Sequence, residues 1–460
     1  MKLTNVTLKN FRSFENLEIP LRGCARVVLV GDNGAGKSSI LEAITNGLGW
    51  QVARILHAKG SGSPLAENAI RNGKPEAAIT LEVEHDTEVF RWTLARTRPG
   101  RKKQLESQLA DTSRLADRFQ TALTSDPENA SLPLVAYYPV ERVVLDIPIR
   151  TRTRHAFEQR NGYDNALLQG VDFRRFFEWF REREDSENES SAIFGEELHS
   201  LLKQFRGTDH EQLWTELNKI KSSQRDRQLT AVRSAIMTFM PGFANLRIQR
   251  RPLRMTIEKE QKSLDVGQLS QGEKSLIALV GDIARRLAMM NPALHNPLHG
   301  EGIVLIDEVD LHLHPRWQRS ILGNLAKTFP NVQFILTTHS PIVISQEREI
   351  CVFVLNDGTI QRAGHTYGLD VNQILLQEMD TDIRAPEIQQ KIDNLLDAIQ
   401  DQRLSDARAL LAQLATDLPA DHLELTKARL LLRRVETRRR EPTEEKTYII
   451  DQLLHPRGSM

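Results

Sequence analysis

"GDNGAGKSS", residues 31–39, stands between the β-branched run "RVVLV" (26–30) and the helix-patterned "ILEAITNGLG" (40–49). Its start fits G-x-x-x-x-G-K-[ST] in full. Gly31, Gly34 and Gly36 let the backbone turn its N–H groups inward on a phosphate. The helix that follows adds its positive N-terminal end. In this pattern Lys37 bridges the β- and γ-phosphates and Ser38 ligates Mg²⁺. A chance glycine loop is the bland alternative, but a strand before and a helix after are the context the motif requires. The expected cofactors are therefore ATP and Mg²⁺, on an α/β fold whose first core strand is buried and parallel.

A second core strand, "IVLIDE" (303–308), ends in two carboxylates that need a cation to offset them. Asp307 is placed to hold Mg²⁺, and Glu308 to orient and deprotonate an attacking water. The alternative is a solvated acidic strand end, which has little force beside a complete phosphate loop. "FILTTHS" (334–340) ends the next strand in His339, where a γ-phosphate sensor belongs. His312 and His314 in "LHLHP" lie two apart, but no further His or Cys supports a zinc site.

The 460 residues suffice for two or three domains, with 40% apolar and 27% charged content and a net charge of zero. Only local charge can then mark a nucleic-acid partner. Three basic segments are candidates: "RPGRKK" (98–103), "RIQRRPLR" (247–254) and "RRVETRRR" (433–440). No run approaches the ~20 apolar residues of a membrane span. The N-terminus lacks a signal-peptide core. Cys24 and Cys351, far apart and in no metal-like spacing, suit a reduced cytoplasm.

Around the phosphate loop the chain divides into four parts. Residues 1–150 read as strands, loop and helix, with a hairpin over 77–97 and a strand in "LPLVAYYPVERVV" (132–144). Residues 151–239 read as a helical insertion, in which Phe173, Phe176, Phe177 and Phe180 share one face and "REREDSENES" (181–190) forms a solvated turn. Residues 240–365 return to strands and end the sheet at "ICVFVLNDGTIQRA". Residues 366–460 are helical, with Ile392, Leu395, Leu396 and Ile399 on one face and Leu404, Ala407, Leu411 and Leu414 on another. A third helix, "ELTKARLLLRRVETRRR", runs from apolar to basic.

"GQLSQGEKSLIALV" (267–280) completes the reading. The ordered set "FRSF", "GDNGAGKS", "LSQGE", "LIDEVDLHLHP" and "TTHSP" resembles the ABC-type ATPase heads of the SMC and RecF group, over roughly residues 1–150 and 240–365. The resemblance implies two lobes and a nucleotide held between two subunits. It places Gly31, Asp32, Asn33, Gly34, Ala35, Gly36, Lys37, Ser38 and Ser39 on the phosphates, with Asn10, Arg12 and Ser13 close by. Ser270, Gln271, Gly272 and Glu273 then reach the partner subunit's γ-phosphate, and Asp310 lies in the loop that crosses the dimer. These heads carry a glutamine after the first lobe; none stands beside "AYYPVERV", where Glu141 or Arg142 takes its place or the glutamine lies elsewhere.

The short insertion lacks sustained heptads, so a long coiled-coil arm is excluded. The "MDTD" acids, Asp380 and Asp382, sit in helical sequence and read as a helix-start turn rather than a nuclease centre. Head, short insertion and helical C-terminus together look like the PtuA family of Septu anti-phage systems, also found with retrons. That resemblance implies a homodimer or higher even-numbered oligomer formed through ATP-sandwiched heads, controlling a PtuB-like HNH nuclease. The C-terminal helices are the expected assembly and docking surface. A stand-alone DNA-repair or recombination clamp of the RecF type is the alternative, with nucleic acid as its partner.

Overall fold

The computed structural model describes residues 1–140, 157–168, 173–204, 226–364, 366–371, 373–374, 385–419 and 421–437. The described residues belong to two compact units, Met1–Ile374 and Leu375–Met460.

In the first unit, β1 (Lys2–Phe11), β2 (Phe14–Pro20), β4 (Glu76–His85) and β5 (Glu88–Thr97) form an antiparallel sheet in the order β2-β1-β4-β5. β4 and β5 are the expected hairpin. The alternating burial of β5 leaves one face for solvent, as antiparallel sheets permit. A second sheet has the order β13-β12-β3-β11-β10-β6. It contains β3 (Arg26–Gly31), β6 (Leu134–Tyr138), β10 (Gly302–Ile306), β11 (Val332–Thr337), β12 (Cys351–Asn356) and β13 (Thr359–Arg362). All its pairings are parallel except β12–β13, which closes the edge. β10 and β11 are buried at every residue, which is why they read as unbroken apolar runs. Between the two sheets lies α1 (Lys37–Leu56), the helix after the phosphate loop. Its Gly47 carbonyl accepts from Trp92 Nε1 of β5 at 3.0 Å.

α2 (Ala110–Ser125) packs on α1 and β5 and was not anticipated from the sequence. α3 (Phe173–Gln204) buries Phe173, Phe176, Phe177 and Phe180, as their spacing indicates. It does not break at 181–190, where a solvated turn was expected. Arg181 and Asp185 pair at i,i+4 across that stretch. Glu184 is buried and accepts from Arg233 of α4 (Arg227–Phe239) at 2.9 Å and from the Ile248 amide at 2.9 Å. A charged stretch with internal partners is thus a helix face rather than a loop. Ile248 belongs to β7 (Phe243–Arg250), which with β8 (Leu253–Lys259) and β9 (Lys262–Asp265) makes a three-stranded antiparallel sheet. In its basic segment, Arg250 pairs with Glu184 and Asp185, and Arg247 with Glu258.

α5 (Gln271–Met290) follows the "LSQGE" motif and is buried along most of its length. Next come β10, α6 (Pro315–Thr328), β11, β12 and β13. Cys24 and Cys351 are joined in a disulfide with their Cα atoms 5.8 Å apart, against the expectation of two unrelated reduced thiols. Sequence separation hides the proximity: β12 runs parallel to β3, with Cys351 opposite Val27.

The second unit contains α7 (Pro386–Gln400), α8 (Leu404–Asp417) and a helix over 423–437, here α9. They share a core of Ile392, Leu395, Ala398, Ile399, Ala407, Leu414, Leu425, Ala428 and Leu432. Leu396 departs from its expected face and is 37% exposed, since the stripe on α7 is narrower than its leucines suggest. Of the "LLL" run, Leu432 is buried while Leu430 and Leu431 are exposed. Asp380 and Asp382 of the "MDTD" reading, Glu141 and Arg142, and the last residues of "RRVETRRR" lie outside the described residues.

One buried charge cluster ties α5 to the sheet. Asp282 accepts from Arg285 at 2.6 Å, from Arg286 at 2.7 Å and from the Tyr138 hydroxyl at 2.9 Å. Arg286 also donates to the Gly162 and Asp164 carbonyls at 2.6 and 2.9 Å. Burial alone would raise the Asp282 carboxyl, but Arg286 and Arg285 outweigh it and hold it below the ordinary carboxylate range. Burial, reinforced by Asp282, pushes the Tyr138 hydroxyl well up. Removing one partner of such a cluster strands the others. Asp282→Ala is expected to lose about 3–5 kcal/mol of stability in denaturant unfolding, because it leaves two buried guanidiniums uncompensated. A loss below about 1 kcal/mol would show that water enters the cluster and satisfies them.

Candidate functional site

The parallel register brings three strand ends to one edge of the six-stranded sheet. Ile306 lies opposite Tyr138 on one side and Leu336 on the other, and Thr337 lies opposite Leu29 of β3. Gly31, Asp307 and His339 therefore leave the sheet at the same edge, the carboxyl end where open α/β sheets take ligands.

At that edge the 31–39 loop wraps the N-terminus of α1. Gly36 is the helix cap, in a left-handed conformation with φ 102°. A Cβ there would also stand 2.5 Å from the Phe14 ring and 3.1 Å from Ser13 Oγ. The glycine thus answers two demands at once, and its close approach sets the "FRSF" turn against the loop. Asn10, near the end of β1, and Arg12, in the turn, hold positive φ values of 49° and 50°. The Arg12 guanidinium pairs with Glu42 of α1, and its amide donates to the Ala69 carbonyl at 2.7 Å. Asp32, Asn33, Gly34 and Ser38 are exposed, while Ala35 and Ser39 are half-buried.

The Lys37 ammonium is folded back onto its own loop, donating to the Gly31 carbonyl at 2.7 Å and the Asp32 carbonyl at 2.9 Å. Burial lowers its pKa; Asp307, Glu308, Asp32 and Asp310 act in the opposite direction. The two carboxylates expected to serve a metal and a water are thus grouped electrostatically with the loop lysine.

Asp307 is buried and accepts from the Thr337 hydroxyl at 2.5 Å. The same hydroxyl accepts from the Glu308 amide at 2.7 Å. Glu308 sits at φ 45°, a left-handed conformation that a non-glycine residue adopts at a cost of about 1–3 kcal/mol. Thr337 thereby holds both acidic residues of the strand end. In the sequence Thr337 is part of an apolar strand, and the one signal that sets it apart is the hydroxyl pair "TT" at its end. His339 is half-buried, between the buried Thr338 and Ser340.

Ser270 caps α5. Its amide and hydroxyl each donate to a Glu273 oxygen at 2.8 Å, and its own oxygen accepts from the Glu273 amide at 3.4 Å, a capping box. Glu273 also accepts from Lys259 at 2.8 Å. Burial would raise the Glu273 carboxyl, but the bonds from Lys259 and Ser270 hold it below its usual value. Its charge is therefore engaged within its own chain, while Ser270 and Gln271 face solvent at the helix N-terminus. Gly272 packs on the loop after β10: a Cβ would stand 2.4 Å from the His312 carbonyl oxygen. The "LSQGE" helix and the Asp310 loop are consequently one packed body. His314 accepts from the Arg316 amide at 3.2 Å as the cap of α6, a structural use of that histidine.

As a donor set, the Ser38 hydroxyl and the Asp307 carboxylate are the hard oxygen ligands that Mg²⁺ selects. The loop glycines, the α1 N-terminus and Lys37 suit a polyphosphate.

A family model described as "AAA domain, putative AbiEii toxin, Type IV TA system" matches residues 26–345. The chain is 36% identical over 391 residues to the retron Ec83 probable ATPase of Escherichia coli, an alignment covering 78% of this chain and 72% of that protein. Over 91 residues it is 43% identical to the Septu protein PtuA of Bacillus mycoides (strain KBAB4), covering 19% of this chain and 12% of that protein. Among solved structures, the Smc head bound to the C-winged helix domain of ScpA aligns over 79% of this chain and 98% of that one, at 16% identity and a TM-score of 0.44. The chain belongs to this AAA-domain family, the family it shares with the retron probable ATPase.

Proposed function

We propose that this protein binds Mg²⁺-ATP between two head subunits, hydrolyses it, and through that cycle controls an associated HNH nuclease of the PtuB kind in anti-phage defence. The observation that carries the ATP-sandwich reading is the N-terminus of α5. Its capping carboxylate, Glu273, is held by Lys259 as well as by the Ser270 amide and hydroxyl, and Ser270 and Gln271 are exposed at a positive helix end. An anion supplied from outside the chain takes the Ser270 donors in exchange for Glu273, whose charge Lys259 still offsets. The name of the E. coli relative, a retron probable ATPase, and the local identity to PtuA support the defence setting.

In this reading Lys37 exchanges its carbonyl partners for the β- and γ-phosphates, and Ser38 and Asp307 hold the metal. The bound Mg²⁺ supplies counter-charge to the phosphates. Glu308 takes the proton of the attacking water, and His339 faces the γ-phosphate. Ser270, Gln271 and Gly272 serve the partner subunit's nucleotide, with Asp310 at the interface between heads. The C-terminal unit carries the docking surface, with exposed Leu430 and Leu431 beside the arginines of α9. Exposed Arg101, Lys102 and Lys103 favour the second reading, a DNA clamp without a nuclease.

Glu308→Gln keeps shape but cannot take a proton. It is expected to bind ATP normally, lower kcat at least ~100-fold and accumulate an ATP-bound dimer. Normal turnover by this variant would remove Glu308 from the mechanism. Ser270→Arg places a bulky cation at the α5 terminus and is expected to leave nucleotide binding by the single subunit intact while abolishing ATP-dependent assembly. Light scattering that shows unchanged assembly would sink the sandwich.

A further inference from the structure

Thr338, Ser340 and Gln318 form a closed set of hydrogen bonds around the loop after β10. The Thr338 hydroxyl donates to Asp310 Oδ1 at 2.5 Å and accepts from the Ser340 amide at 2.9 Å. The Ser340 hydroxyl donates to Gln318 Oε1 at 2.9 Å. Gln318 Nε2 returns to the loop, donating to the Leu313 carbonyl at 2.9 Å and the Asp310 carbonyl at 3.4 Å. His339 stands between two members of the ring, and Asp310 is held by its side chain and its backbone together.

The loop so held is not a relaxed one. Glu308 at its start and His312 near its end both occupy left-handed backbone conformations, at φ 45° and 62°. Such residues persist only when their surroundings over-determine them. Thr338 is completely buried and Ser340 is 9% exposed. Two hydroxyls in such positions cost desolvation unless bonded, and here they are bonded to the Ser340 amide, to the half-buried Gln318 amide and to the loop. Val is nearly isosteric with Thr, so packing alone does not require the Thr338 hydroxyl.

We propose that Thr338 and Gln318 are positioning residues that lock the Asp310 loop to the His339 loop as one rigid element. Through it the γ-phosphate side of one site and the interface-facing Asp310 move together. The inference rests on the ATP-sandwich reading above and assigns to it residues that touch neither nucleotide nor metal. Gly272 packs on the His312 carbonyl, so the same element also carries the α5 terminus.

Thr338→Val removes the hydroxyl at nearly constant volume, and Thr338→Ser restores it. We expect Thr338→Val to lower kcat about 10-fold or more, since small misplacements at a catalytic site are costly. Nucleotide Kd, measured with a fluorescent ATP analogue, should stay within about 2-fold, because uniform binding is untouched. Thr338→Ser should regain most of the rate. Gln318→Leu should resemble Thr338→Val, and the double variant should be little worse than either, because residues in one network do not add. Wild-type kcat in Thr338→Val overturns the proposal. So does a Thr338→Ser protein as impaired as Thr338→Val, or a rate loss matched by a comparable loss of Kd and Tm. Glu308→Gln, assayed alongside, separates the two levels: an inactive Glu308→Gln beside a fully active Thr338→Val rejects the ring alone, whereas an active Glu308→Gln rejects the site reading beneath it.

Discussion

The register of four parallel strands is the constraint on which the site depends. β3, β11, β10 and β6 align so that the phosphate loop, the acidic strand end and the His339 loop leave the sheet at one edge. Side chains alternate with period two, so a one-residue slip in β10 would exchange its faces and displace Asp307. The slip is opposed by burial on both faces. Ile303, Val304, Leu305 and Ile306 have no solvent exposure, and Val27, Val28 and Val30 likewise have none.

An edge that gathers Asp307, Glu308 and Asp310 is electrostatically expensive by itself. Lys37 offsets part of that charge, and hydroxyl donors offset more: Thr337 for Asp307 and Thr338 for Asp310. The two adjacent threonines thus serve different acids and together hold the polypeptide between them in its left-handed start. Carboxylates gathered at a partly buried edge need such donors, because desolvation is costly for a charge left unbonded.

Farther from the edge, the Asp282 cluster connects the same machinery to the helical side of the molecule. Tyr138 donates its hydroxyl to Asp282 and accepts at its carbonyl from the Asp307 amide at 2.8 Å. Arg286, on the same helix, holds the carbonyls of Gly162 and Asp164 just ahead of α3. The helix capped by Ser270 is therefore anchored to the Asp307 strand end and to the Gly162–Asp164 segment. That arrangement resists relative motion among three elements that the chain order keeps far apart.

The sequence by itself determined the fold class and the local elements of the candidate site. Glycine spacing in 31–38, two acids after an apolar run, and a serine-capped helix signal are local properties, and local backbone physics suffices to read them. The hairpin over β4 and β5 and the buried face of Phe173, Phe176, Phe177 and Phe180 were legible for the same reason. What only the tertiary structure decided depends on partners distant in the chain. "REREDSENES" looked like a turn because its charges appeared unpaired, and it is helix because Arg233, Arg250 and the Ile248 amide come to meet Glu184. Cys24 and Cys351 appeared unrelated until β12 was laid beside β3. Thr337, Thr338 and Gln318 carry no motif of their own. Their roles follow from the register that brings a hydroxyl within 2.5 Å of a carboxylate 28 or 30 residues away, a distance that neither periodicity nor composition encodes.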